Sequence, residues 1–206
     1  LIGASGNDDN GSSSGSVYVF VREANNSWVQ QSKLLASDGI AYDYFGENVS
    51  LSGNTALVGA PYDDDNGGDS GSAYVFVRTL VGGVEVWSQQ AYLKASNSQG
   101  AAGSGTFDDQ GDQFGTSVAV SGDLVAVGAP SEDSSVTGIN GPQGDNSARE
   151  AGAVYMFRRS GTSFWFQDAY IKPSINSAGA EFGNAVAQSG NRLLVGAPNA
   201  DAVFQN

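Results

Sequence analysis

Two short motifs recur in the same order along this chain, and their spacing constrains the fold more than any other feature. A Phe-Gly pair is followed at a constant distance by Gly-Ala-Pro, and this combination occurs three times. The pairs are Phe45-Gly46, Phe114-Gly115 and Phe182-Gly183, and the triplets occupy 59–61, 128–130 and 196–198. A degenerate Gly3-Ala4-Ser5 precedes them. Such a fixed period predicts a repeat architecture in which each unit packs against its neighbours.

Four strand-length segments make up each unit, and we label them A to D. Segment A covers 46–52, 115–121 and 183–189; B covers 55–60, 124–129 and 193–197; C covers 16–22, 72–78 and 153–159; D covers 28–35, 87–94 and 165–172. Turns of the type Ser52-Gly53-Asn54 separate A from B and predict tight hairpins. Nearly continuous apolar runs such as Leu124–Gly128 indicate strands that are covered on both faces.

Antiparallel four-stranded units of this kind, stacked side by side, are typical of β-propeller blades. The Phe-Gly and Gly-Ala-Pro motifs, followed by Gly-Ser-Ala-Tyr-Val-Phe at 71–76, resemble FG-GAP repeats. Repeats of that family form the blades of the integrin α-subunit propeller and occur in many bacterial surface and secreted proteins. The resemblance implies an all-β propeller with both motifs near a central channel. It says much less about function, because one fold serves many functions.

We expect one partial propeller domain over residues 1–206. Its predicted parts are segments B–D at 1–35, full blades at 45–95 and 114–172, and segments A–B of a further blade at 182–206. About three blades cannot close a ring, since propellers have about four to eight. We therefore expect this arc to belong to a six- or seven-bladed propeller, completed by a longer chain or by self-association. The start of the chain resembles the middle of a domain.

Composition excludes several classes of function. The chain has 22 acidic and 9 basic residues, a formal net charge of −13, and neither His nor Cys. Disulfides, Cys/His zinc sites and catalytic triads are therefore excluded, and among metals the hard ions with oxygen ligands remain. Nucleic acid and anionic membrane surfaces are poor partners for so negative a chain. No apolar run is long enough to cross a membrane, so we expect no membrane insertion.

Most of the acidic side chains fall in the B–C and D–A loops, which an antiparallel blade places at one end. They are Asp8, Asp9, Asp38, Asp43, Asp63, Asp64, Asp65, Asp69, Asp108, Asp109, Asp112, Glu132, Asp133, Asp145, Glu150, Glu181 and Asp201. The arginines Arg22, Arg78, Arg158, Arg159 and Arg192 fall at the other end. The sequence therefore predicts a molecule with one strongly anionic end.

The densest acidic loop is a candidate calcium site. Asp63, Asp65 and Asp69, with Asn7 and Asp9 at matching positions of the first unit, offer the hard oxygens that Ca²⁺ prefers. A solvated loop that keeps the protein soluble is the alternative. The third unit has Glu132 at this position and then a long insertion, so a metal site is not expected there. Integrin-like repeats hold Ca²⁺ between segments A and B; here a short turn stands in that place, so those ligands have no counterparts.

Three functions compete at this stage. The first is a non-catalytic extracellular or cell-surface adhesion module that binds a protein or glycan partner through the acidic loops or the long insertion. The second is a glycan-binding propeller with sites made from loop carboxylates and an aromatic side chain. The third is a hydrolase or lyase that uses paired carboxylates such as Asp38 and Asp43 beside Asp63 or Asp65. The tryptophans Trp28, Trp87 and Trp165 are predicted to pack on outer strands.

Overall fold

A computed structural model describes residues 1–100 and 111–201 of the chain. The regular structure of these residues consists of β-strands. They are β1 (Ile2–Ala4), β2 (Ser16–Arg22), β3 (Trp28–Leu34), β4 (Asn48–Ser52), β5 (Thr55–Ala60), β6 (Ser72–Val81), β7 (Val84–Leu93), β8 (Ser117–Ser121), β9 (Leu124–Ala129), β10 (Ala153–Ser160), β11 (Phe164–Ile171), β12 (Ala185–Ser189) and β13 (Arg192–Gly196). No helix among the described residues is long and apolar enough to span a bilayer.

The strands form antiparallel sheets that correspond to the predicted blades. Blade 1 contains β1–β3, blade 2 contains β4–β7, blade 3 contains β8–β11, and blade 4 contains β12 and β13. Within each blade the strands are paired in chain order. The predicted all-β propeller arc is thereby confirmed. That the 206 residues form one domain within a larger ring stays a prediction.

Most strand boundaries agree with the prediction to within one residue, and the two larger differences each have a local cause. Segment A begins two residues late in every copy because the glycine of Phe-Gly has a left-handed φ, +93° at Gly46 and +105° at Gly115. The β6–β7 hairpin is longer than its counterparts and extends to Val81 and Val84. Additional β-branched residues continue the pairing there up to a Gly-Gly turn.

Hydrophobic cores lie between the blades. One face of blade 2 carries Tyr74 and Phe76 against blade 1, and the opposite face carries Leu57 and Val75 against blade 3. Because alternate residues of a strand point to opposite faces, a blade covered on both sides has apolar residues in both registers. This explains the continuous apolar runs in the sequence.

The inner strands hold neighbouring blades together. The backbone N–H of Val118 in β8 donates to Oδ1 of Asn48 in β4 at 3.3 Å, and that of Gly190 after β12 donates to Oγ of Ser121 at 2.9 Å. Contacts between outer strands of adjacent blades are far sparser. The sheets therefore diverge outward from a common inner edge formed by β4, β8 and β12, as in a propeller.

The two glycines of the repeated motifs face each other across the blade boundary. A Cβ on Gly59, from the first Gly-Ala-Pro, would lie 2.0 Å from the carbonyl oxygen of Gly115 in the next Phe-Gly. The phenylalanine before Gly115 packs edge-on against Tyr155 and Phe157 of its own blade, with ring centroids 5.4 and 5.9 Å apart. The facing glycines of both motifs therefore set the distance between blades, and the phenylalanine of Phe-Gly fills the core between them.

Candidate functional site

The B–C and D–A loops lie at one end of the blades, which we call the acidic end, because the strands alternate in direction. Backbone hydrogen bonds join these loops across blade boundaries. The N–H groups of Phe114 and Phe182 donate to the carbonyl oxygens of Ser70 and Ala151 in the preceding blade. At the other end, Arg159 contacts Asp123 in the β8–β9 turn. The arrangement of the described acids matches the predicted polarity, whereas Asp108 and Asp109 lie outside the described residues.

Asp63, the first candidate calcium ligand, is buried and has protein partners on both carboxylate oxygens. Its Oδ2 accepts from the Tyr74 hydroxyl at 2.9 Å, and its Oδ1 lies 3.2 Å from Nζ of Lys94. The same Oδ1 accepts the backbone N–H of Asp65 at 3.0 Å. A lysine ammonium therefore compensates the charge of this carboxylate.

Asp65 and Asp69 are more accessible than Asp63. Oδ2 of Asp65 accepts a 3.3 Å hydrogen bond from the Tyr92 hydroxyl. The backbone N–H of Asp69 donates to Oδ1 of Asp64 at 2.9 Å. Burial, and then the charge of Asp64, raises the pKa of Asp69.

The first blade repeats the same loop with a neutral side chain. Oδ1 of Asn7 accepts the backbone N–H of Asp9 at 3.1 Å, which matches the Asp63–Asp65 contact. Asp9 forms an ion pair with Lys33. Across residues 1–100 and 111–201, no group of three or more acidic side chains is placed to hold a metal ion. Ca²⁺ can also be bound by carbonyl and amide oxygens, so calcium binding stays a prediction.

Blade 3 contains the most buried ion pair of the described structure, and sequence analysis missed its cation. Nζ of Lys172 lies 2.6 Å from Oε2 of Glu132, and both side chains are almost fully buried. The hydroxyl of Tyr170 donates to Oε1 of Glu132 at 2.7 Å. Burial lowers the pKa of Lys172, and the charge of Glu132 opposes that shift.

A comparison between the units could have found these pairs. The acid and the lysine occur together at equivalent positions, as Asp63 with Lys94 and Glu132 with Lys172. In blade 1 the same positions hold Asn7 and Leu35, so both charges are absent. Such a joint change between repeats indicates contact and does not require an alignment of homologues.

Two further buried carboxyls precede the Phe-Gly pairs. Desolvation raises the pKa of Asp43 to about 6 and that of Asp112 to about 7, against an ordinary value of 3.8. Each accepts a backbone N–H, from Ile40 at 2.7 Å and from Gln99 at 2.8 Å respectively. These hydrogen bonds give both side chains a role in shaping the D–A loops.

The long insertion of blade 3 lies along the outer edge of its own sheet. Ile139 forms an antiparallel bridge with Ile171, and the N–H of Asn140 donates to the carbonyl oxygen of Tyr170 at 2.8 Å. Oδ1 of Asn140 accepts the N–H of Tyr170 at 2.9 Å. The insertion therefore covers part of the exposed edge of β11.

Two open features mark the inner rim of the acidic end. A polar cavity of about 260 Å³ lies between blades 3 and 4, and its lining includes Glu150, Glu181 and Gln113. In blade 2 the same rim carries an edge-on aromatic pair, Tyr44 and Tyr62, with ring centroids 5.2 Å apart. The rim therefore offers carboxylates at one boundary and aromatic surface at another.

The tryptophans occupy outer strands as predicted, with different degrees of burial. Trp165 is buried and Trp28 is 65% exposed. The indole N–H of Trp165 donates to Oε1 of Gln90 at 2.9 Å, and that of Trp87 donates to Gln31 at the same distance. Trp87 and Trp165 therefore connect the outer parts of adjacent blades.

Stacked antiparallel blades with a rim of variable loops define a β-propeller-type repeat module. The model of the FG-GAP repeat family matches residues 28–76, 108–157 and 165–206, so this chain belongs to that family. The first and third matches begin in the outermost strand of one blade, β3 or β11, and continue into the next blade, whereas the second covers β8, β9 and most of β10 within blade 3. A search of the curated proteins found none that matches this chain.

Proposed function

We propose that the protein is a non-catalytic extracellular or cell-surface interaction module that binds a macromolecular partner at its acidic end. The concentration of carboxylates in the B–C and D–A loops is the observation that carries this proposal. Arg149 is the only arginine in those loops, and it pairs with Glu150. An anionic field on one end attracts a partner with a basic surface and accelerates its association.

The polar cavity between blades 3 and 4 gives this end a defined place for contact. Its lining combines two carboxylates with amide and hydroxyl groups. Such groups accept hydrogen bonds from the cationic side chains of a protein partner. Loops on a rigid scaffold are also the usual location of binding residues.

Peptide arrays with basic, neutral and acidic sequences test the proposal. Binding to basic peptides should weaken as salt is raised, because the attraction is screened. The double variant Glu150→Gln/Glu181→Gln should bind less, whereas Glu23→Gln/Glu85→Gln, with the same change of charge at the opposite end, should bind like the parent. Equal binding by both variants would contradict the proposal.

A glycan ligand is the second candidate, and the Tyr44–Tyr62 pair favours it. Tyr62 is 37% exposed, and aromatic rings beside carboxylates suit the apolar and hydroxylated faces of a sugar. A glycan array with Tyr62→Ala as the variant decides between the two. Saccharide binding that this variant loses would favour the glycan function, while silence on the array would favour the protein partner.

The remaining blades of a ring are proposed as further partners. Leu194 is 76% exposed, although its counterparts Leu57 and Ala126 are completely buried between blades. Another unit of the same repeat, in a longer chain or a second copy, would cover such a face. Sedimentation across a range of concentrations tests whether a second copy covers this face. If it does, the chain should associate with itself, and Leu194→Gln should weaken that association.

A further inference from the structure

A chain of contacts in blade 3 joins a buried amine to an amide through one carboxylate. Lys172 binds Oε2 of Glu132 at 2.6 Å, and Nδ2 of Asn97 donates to Oε1 of the same residue at 3.3 Å. The amine and the amide therefore contact opposite oxygens of a single group. Asn97 lies in the loop that enters blade 3, and Lys172 lies just after its last strand.

A fourth residue donates a hydrogen bond to the carbonyl oxygen of that amide. The hydroxyl of Tyr155 donates to Oδ1 of Asn97 at 2.6 Å. Negative charge would develop on this oxygen if a nucleophile attacked Cγ, and a donor already in place stabilises such charge. Tyr155 is fully buried and Asn97 is half-buried, so the hydrogen bond is partly removed from water.

We infer that Lys172 and Asn97 form an intramolecular isopeptide bond, assisted by Glu132 and Tyr155. Nζ of Lys172 attacks Cγ of Asn97, and the Cγ–Nδ2 bond breaks. Lys172 loses two protons, which pass by way of the Glu132 carboxylate to Nδ2, and this nitrogen leaves as ammonium. Atoms and charge balance without an oxidant or a second substrate.

The environment favours each part of this single-turnover step. Burial lowers the pKa of Lys172 and so favours its neutral amine, which is the form of lysine that acts as a nucleophile. Glu132 contacts both the nitrogen that loses protons and the nitrogen that gains them. Because both reacting groups contact the same carboxylate, the fold already supplies part of the entropy that a bimolecular reaction would lose.

Blade 2 supplies an internal comparison. The equivalent lysine and acid are Lys94 and Asp63, and the residue at the position of Asn97 is Asp38. An ionised carboxylate resists attack by an amine because it already carries negative charge. The loss of ammonia is therefore specific to blade 3.

Intact-mass spectrometry of the folded, purified chain tests the inference. The expected mass is lower than the sequence mass by one ammonia, and proteolysis should release a branched peptide that joins the segments around Asn97 and Lys172. Lys172→Arg, Asn97→Ala and Glu132→Gln should each retain the full mass. Lys94→Arg, the matched change in blade 2, should still show the loss.

Two outcomes would overturn the inference. One is a parent chain with its full sequence mass, a result that does not depend on whether any variant folds. The other is an ammonia loss that persists in Lys172→Arg, since that loss would arise elsewhere, for instance as a succinimide at Asn66-Gly67. Circular dichroism of each variant establishes that it has folded before its mass is interpreted.

Discussion

Gly59 shows at the scale of one residue why Gly-Ala-Pro recurs. Alanine there would place Cβ 2.0 Å from the carbonyl oxygen of Gly115, an atom of the neighbouring backbone that cannot rotate away. We expect Gly59→Ala to lower the free energy of unfolding by roughly 3 kcal/mol through overpacking. Urea denaturation measures this. Gly6→Ala, where nothing lies within 4 Å of the added atom, should change stability little, and equal losses would contradict the explanation.

A double-mutant cycle can test the buried Asp63–Lys94 pair, because blade 1 already carries uncharged residues at both positions. Lys94→Leu should cost about 3 kcal/mol of stability because it leaves a buried carboxylate without its cation. Asp63→Asn/Lys94→Leu copies the Asn7 and Leu35 of blade 1 and should recover most of that loss. Additive effects in urea denaturation would show that the two residues are not coupled.

Asp112 predicts a dependence of stability on pH. Its pKa is about 7 in the folded chain, raised chiefly by desolvation and further by Glu132 and Asp133, while the Gln99 N–H and Lys172 lower it. A carboxyl whose pKa is higher in the folded chain than in the unfolded chain favours folding while it is protonated. For Asp112 this contribution is complete below the ordinary pKa of 3.8 and is lost as the pH rises through about 7. Between pH 4 and pH 8, Asp112→Asn should therefore gain roughly 4 kcal/mol relative to the parent. Parallel stability profiles would contradict this assignment.

At the scale of the strand, each outer hairpin contains the same irregularity. The register shifts after Val19, Val75 and Met156, which leaves Gln31, Gln90 and Asp168 without a cross-strand partner. Such a bulge turns the unpaired side chain away from the regular pleat. In blades 1 and 2 the bulged glutamine accepts the indole N–H of the next blade.

This contact gives a prediction for Gln90. Gln90→Leu removes the acceptor of the buried Trp165 indole and should cost about 1–2 kcal/mol, the range for an unsatisfied buried donor. Tryptophan emission and urea denaturation report the change. Gln30→Leu, at an exposed position of β3 in blade 1, should have almost no effect, and a similar loss there would refute the role of the bulge.

The strands and turns could be predicted from the sequence because the repeat aligns three imperfect copies of each element. The partners of the acidic side chains could not. Asp63 looks like one of several exposed loop carboxylates, and only the fold brings Lys94 to it from the end of β7. The bulge is equally hidden, since the residues around Gln90 show ordinary strand composition and the extra residue appears only when two strands are paired.

At the scale of the whole molecule, the alternation of strand direction converts a local preference for acidic loops into a charged end. Every B–C and D–A loop reaches the same end, so the repulsion among its carboxylates adds from blade to blade. Lys94 and Lys172 relieve it for two buried acids, Asp63 and Glu132. The more accessible Asp65 and Asp69 have no such lysine partner among the ion pairs of the described residues.

Calcium is the proposed counterion for those accessible acids. Ca²⁺ accepts several carboxylate and carbonyl oxygens at flexible geometry, and any ligand of the folded state raises its stability. Millimolar Ca²⁺ should therefore raise the melting temperature more than Mg²⁺ at equal ionic strength, and Asp65→Asn/Asp69→Asn should remove the difference. Glu23→Gln, at the opposite end, should leave it intact. A melting temperature that does not respond to Ca²⁺ would exclude calcium binding. Screening by ions in the solvent would then be what reduces the repulsion among the carboxylates at this end.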